Sequence, residues 1–75
     1  MRFFIDYKSK GHSLYDYQGD EFMSSNDAFD FAEQTAQSLK NKLNGDWKGW
    51  LVEVRDAGGR KYVSFAIDTG RAIAA

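Results

Sequence analysis

One stretch of this chain repeats with the period of a helix, and the stretches on both sides of it repeat with the period of a strand. Phe29, Ala32, Ala36, Leu39 and Leu43 recur at steps of three and four, which draws a narrow apolar stripe along one helical face. Ser24-Ser25-Asn26-Asp27 precedes it with side chains suited to an N-cap. Asp27, Asp30 and Glu33 lie toward the positive end of the expected helix, and Lys40 and Lys42 toward its negative end. Asn44-Gly45 supplies the expected C-cap.

Before the helix, Phe3, Ile5 and Tyr7 alternate with Arg2, Phe4 and Asp6, so one strand carries an apolar and a mixed face. Lys8 to His12, centred on Gly11, reads as a turn, and a weaker strand at about Ser13–Tyr17 completes a hairpin. After the helix, Trp50–Arg55 and Arg60–Ile67 flank Asp56-Ala57-Gly58-Gly59 and form a second hairpin. Its register follows from its faces. Trp50, Val52 and Val54 must share a side with Val63, Phe65 and Ile67, and a two-residue Gly58-Gly59 loop achieves this. That loop pairs Val54 with Val63, Val52 with Phe65, and Asp56 with Lys61. A three-residue loop without a bulge would set Val54 opposite Tyr62 and split the apolar set. Asp68 to Ala75 carries no strong pattern and is expected to fray. The expectation is one α+β domain over residues 1–75, structured at about 2–67. Its order is β-β-α-β-β, with a single helix on one face of a small, mostly antiparallel sheet whose strand order stays open.

Composition supports a globular chain. Of the 75 residues 43% are hydrophobic and 16% aromatic, and large rings bury the most area for each residue ordered. No cysteine is present, which excludes disulfides and thiolate metal sites. Ten basic residues against eleven acidic ones give a net charge of −1, which leaves no strong field for nucleic acid or a membrane surface. The apolar run at Phe3-Phe4-Ile5 is too short for a signal peptide or a membrane span, so a cytoplasmic location is the default expectation.

Taken in order, these residues resemble a family of short bacterial proteins, abundant in rhizobia and other α-proteobacteria, that is classed as a domain of unknown function. Its members open with an aromatic pair after a basic residue, here Arg2-Phe3-Phe4. A D-x-x-G-x-E segment follows, matched by Asp16, Gly19 and Glu21, and then a helix with inner alanines, as at Ala28, Ala32 and Ala36. A strand and Gly-containing turn close the pattern at Glu53, Val54, Asp56 and Gly59. The resemblance spans roughly residues 2 to 67; it implies a fold and carries no active site with it.

Each residue group with chemical potential has a plainer explanation. Asp16, Asp20 and Glu21 around Gly19 could offer oxygen ligands to a divalent cation, but they lack the ligand ladder of a Ca²⁺ loop and read as a turn with Gly19 at positive φ. His12 could act as a base with Asp6 or Asp16, yet a lone histidine in a polar turn reads as exposed. Lys8, Lys10, Arg55, Arg60 and Lys61, beside Tyr15, Tyr17 and Trp47, could line single-stranded nucleic acid, but acidic residues are interspersed among them. Gly58-Gly59 lacks the spacing of a phosphate loop. No cofactor is implied.

The remaining candidate is a surface. With Phe3, Ile5, Trp50, Val52, Val54, Val63, Phe65 and Ile67 turned to the helix, the opposite sheet face carries Phe4, Leu51 and Tyr62, a patch that a second copy or a protein partner could cover. The reading is a non-enzymatic interaction module, associating through that face as a homodimer or with an unidentified protein. A nucleic-acid-associated regulator is the alternative, and a small hydrolase or metal-binding protein the remote one.

Overall fold

Alternation in Arg2–Ser9 produces β1, and a Lys10-Gly11 turn folds His12–Leu14 back on it as β2. A computed structural model describes residues 1–42 and 46–73. In it β2 ends at Leu14, short of the expected Tyr17, and the chain then crosses to a two-residue strand, β3 (Asp20–Glu21), which pairs with the start of β1. Helix α1 spans Ser25–Lys40, and the Ser24 hydroxyl accepts the Asp27 N–H at 3.2 Å, the N-cap geometry that the Ser/Asn/Asp cluster calls for. Asn41 is its C-cap; Leu43 and the expected Asn44-Gly45 cap lie outside the described residues.

The second hairpin consists of β4 (Leu51–Asp56) and β5 (Lys61–Ala66), and β4 also lies antiparallel to β1. Together with β6 (Arg71–Ile73) they give a six-stranded antiparallel sheet of order β2-β1-β4-β5-β6, with β3 on the β1 edge. The helix covers one face of it. Of the tail expected to fray, Asp68 to Ile73 instead turns at Gly70 and returns as β6, pairing Ser64 with Ile73 and Ala66 with Arg71, and Ala74 and Ala75 lie outside the described residues. Its backbone groups thereby find partners on β5.

The core lies between helix and sheet: Ala28, Ala32 and Ala36 are fully buried against Val52, Val54 and Ile67. Three alanines on one face let the helix backbone settle close to the sheet, and the branched side chains opposite fill the space. Phe3 closes one end of this layer at 1% exposure, a burial worth about 1.5–3 kcal/mol for such a side chain.

The hairpin register holds for a different reason from the one expected. Val54 faces Val63 and Val52 faces Phe65, but Arg55, not Asp56, faces Lys61. The loop has three residues, Ala57 to Gly59, closed by the Asp56 N–H on the Arg60 carbonyl at 2.9 Å, and Gly59 takes φ +89°. An added residue at Tyr62 restores the apolar set as a β-bulge.

Candidate interaction site

The bulge decides where Tyr62 goes. Lys61 and Ser64 keep to the outward face, where each reaches Glu53, while the Tyr62 ring packs edge-on to Phe3 at 5.6 Å and tilts over Phe29 at 5.9 Å. Both are partners on the helix side. The bulge thus turns the Tyr62 ring toward the helix side, while Tyr62 still borders, with Leu51, Ser64 and Ile73, a hollow of about 260 Å³. Its hydroxyl donates to Asp56 Oδ2 at 2.9 Å, and this bond to a carboxylate raises the phenol pKa.

Phe4 remains on the outward face but is half-buried, with the Arg55 guanidinium 4.7 Å from its ring centroid. Gly19 lies over it so closely that a Cβ there would fall 2.9 Å from Phe4 Cε2. Leu51 is half-buried on the same face.

Charge dominates the rest of this face. Asp6 is fully buried, accepts Arg55 Nε at 2.6 Å and takes the Asp16 N–H at 2.9 Å. Arg55 extends to the Asp16 carbonyl at 2.8 Å. Lys8 Nζ lies 2.7 Å from Glu53 Oε1, and Lys61 Nζ 3.9 Å from it; the Glu53 contact raises the Lys8 pKa. Lys8, Arg55 and Lys61, three of the five basic residues considered for nucleic acid, thus face carboxylates of their own chain.

The acidic turn is organised from within. Asp16 Oδ1 accepts the N–H groups of Gln18 and Gly19, and Oδ2 that of Ile5, at 2.9–3.2 Å. Burial opposes the Asp16 charge, but the amides of Gly19, Ile5 and Gln18, with Arg55 nearby, outweigh it and hold the carboxyl below its ordinary value. Gly19 has the expected positive φ, +72°. Glu21 pairs with Arg2 and the N-terminal amine. Among the described residues no three acidic or histidine side chains converge as metal ligands. His12 is exposed opposite Ser9, and the Asp6 carboxylate expected to orient it is engaged by Arg55.

The unfilled surface lies on the helix side. Between α1 and the β1–β2 edge runs a groove with Tyr7 on its floor. Toward the start of the helix it opens into a hollow of about 490 Å³ among Ile5, Leu14, Tyr15 and Phe31, bordered also by Asp16 and Asp20. Toward the end of the helix it opens into a second, of about 410 Å³, among Leu14, Leu39, Trp47 and Trp50. Leu14, Tyr15 and Phe31 stay 60%, 48% and 46% exposed around it. Burial, and then the Asp16 charge, push the Tyr7 phenol above its ordinary pKa, so it remains neutral near pH 7. The sequence held a signal for this site: Phe31 is a large ring off the stripe of Phe29, Ala32 and Ala36.

Among the described residues no helix is long and apolar enough to cross a membrane. No curated protein and no solved structure matches the chain. A family model does, over residues 2–68, as the segment resemblance implied; the chain belongs to the family described as a domain of unknown function, DUF6894.

Proposed function

We propose that this chain is a non-enzymatic protein-interaction module of the bacterial cytoplasm, of α-proteobacterial type, and that it docks through the groove between α1 and the β1–β2 edge. The observation that carries this reading is the cluster of Leu14, Tyr15 and Phe31, left about half-exposed around Tyr7. A contiguous apolar patch on a small domain marks a contact site, and aromatic anchors dominate the energetics of such sites. The outward sheet face offers less, since Asp6, Arg55, Lys8 and Glu53 neutralise one another there. The absence of cysteine and the resemblance of Arg2-Phe3-Phe4 and the Asp16–Glu21 segment to the rhizobial family support the compartment and the origin.

Photo-crosslinking tests the reading. With p-benzoylphenylalanine replacing Tyr15 or Phe31, the account expects protein adducts in cells that vanish when Leu14→Asp is added. The same group replacing Ala57 on the far hairpin loop should give none. Equal labelling from all three positions, or adducts indifferent to Leu14→Asp, would contradict it.

A further inference from the structure

The helix stripe that borders the groove has a charge order that fits a second copy of itself. Asp27, Phe31, Ser38 and Lys42, with the neighbours Gln34 and Thr35 midway between Phe31 and Ser38, fall on one side of the helix at steps of three and four. Phe31, Gln34, Thr35, Ser38 and Lys42 line one continuous wall beside Tyr7, and Asp27 lies one turn before Phe31 on the same line. Lys42 extends the wall past the helix cap, its N–H bonded to the Leu39 carbonyl at 3.1 Å. The stripe is acidic at one end, apolar next to it, small and neutral in the middle, and basic at the other end.

Such a stripe complements itself when two copies run antiparallel. A two-fold axis between Gln34 and Thr35 sets Asp27 against the second copy's Lys42 and Phe31 against its Ser38. Gln34 then meets Thr35 next to the axis. Every pairing occurs twice, as an isologous contact requires, and both ends join opposite charges. The reverse, parallel arrangement sets Asp27 near Asp27 and Lys42 near Lys42. The Thr35 hydroxyl already donates to the Phe31 carbonyl at 2.8 Å, which leaves its methyl for the contact. Thr35 and Ser38 are small enough for two helices to approach to about 8–10 Å, and the stripe extends over roughly 22 Å at 1.5 Å per residue. Leu14 and Tyr15 flank Phe31 and give the second copy an apolar shoulder.

We infer that the occupant of the groove is a second copy of this chain, held helix against antiparallel helix about the Gln34–Thr35 axis. This rests on the groove being the interaction surface.

Sedimentation equilibrium of the full chain over a concentration series tests it, with circular dichroism confirming that each variant is folded. The wild type should dimerise, and Phe31→Asp should leave only monomer. Asp27→Lys or Lys42→Asp alone should weaken the dimer about tenfold, because each sets like charges together at both ends, and the double variant should restore it. A wild type that stays monomeric at millimolar concentration, a dimer indifferent to Phe31→Asp, or a double variant no tighter than the singles would overturn the inference. A monomer that still crosslinks other proteins from Tyr15 and Phe31 would overturn it while leaving the groove as an interaction surface.

Discussion

Arg55 Nε lies 2.6 Å from Asp6 Oδ2 on the sheet face away from the helix, and the Asp6 side chain has no exposure to solvent at all. The pair links the two central strands and, through the Asp16 backbone, holds the segment after β2 across the sheet. Removing one partner of a buried pair leaves the other charge uncompensated. Asp6→Ala should therefore destabilise the fold by about 3 kcal/mol, measured by urea unfolding. A loss below about 1 kcal/mol, the range of an exposed pair, would show that the pair does not anchor that segment.

Gly19 adds a steric constraint at the same place. It combines φ +72° with an approach that would bring a Cβ within 3.0 Å of the Phe3 carbonyl oxygen. Gly59 has a similar φ, +89°, but open space around it. Alanine at 59 should cost about 1 kcal/mol of left-handed strain, and alanine at 19 at least about 1 kcal/mol more. Equal losses in parallel denaturant titrations would mean that the segment lifts off Phe4 without cost.

Acid should loosen this latch. The folded Asp16 pKa is depressed below its unfolded value, so the unfolded chain binds the proton more readily. The stabilisation is complete above the unfolded pKa, about 3.9, and disappears as pH falls through the folded one. Asp56 is depressed as well, by the Arg60 N–H and the Tyr62 hydroxyl, and contributes in the same direction. The urea midpoint should drop below about pH 4. Asp16→Asn should lower the neutral-pH midpoint and flatten the drop; an unchanged slope would contradict this account of Asp16.

Tyr62 distinguishes the two faces. Tyr62→Phe removes the bond to Asp56 but keeps the ring on Phe3 and Phe29, and should change stability little, because water replaces the exposed partner. Tyr62→Ala should cost about 2 kcal/mol more through lost ring burial. Thermal unfolding of both variants checks the difference. If Tyr62→Ala were as stable as Tyr62→Phe, the ring would not be packing where the bulge directs it.

The Tyr62 case shows where sequence reading stopped. Helix position, alanine face and apolar register were legible because each is fixed by a local period. The register 54–63 was reached through the wrong loop: a two-residue loop and a three-residue loop with a bulge pair the same valines, and apolar pattern cannot separate them. They differ in where residue 62 lands, so the apolar pattern alone does not place the Tyr62 ring. The β6 strand was missed because Arg71-Ala72-Ile73 is too short to show alternation; pairing with β5 holds it. Asp6 and Arg55 read as surface charges, and only the crossing of the Asp16 segment buries the first of them. Leu14, Tyr15 and Phe31 were each visible, but their meeting around Tyr7 depends on how the helix lies across β1.

The central claim is that association uses the groove and leaves the outward sheet face free. Amide and aromatic NMR spectra over a dilution series of the isotope-labelled chain test it most directly. The account predicts concentration-dependent shifts at Tyr7, Leu14, Tyr15 and Phe31 with Leu51, Ser64 and Ile73 unmoved. Shifts centred on Leu51 and Ile73, with Phe31 unmoved, would place the contact on the other face and contradict it.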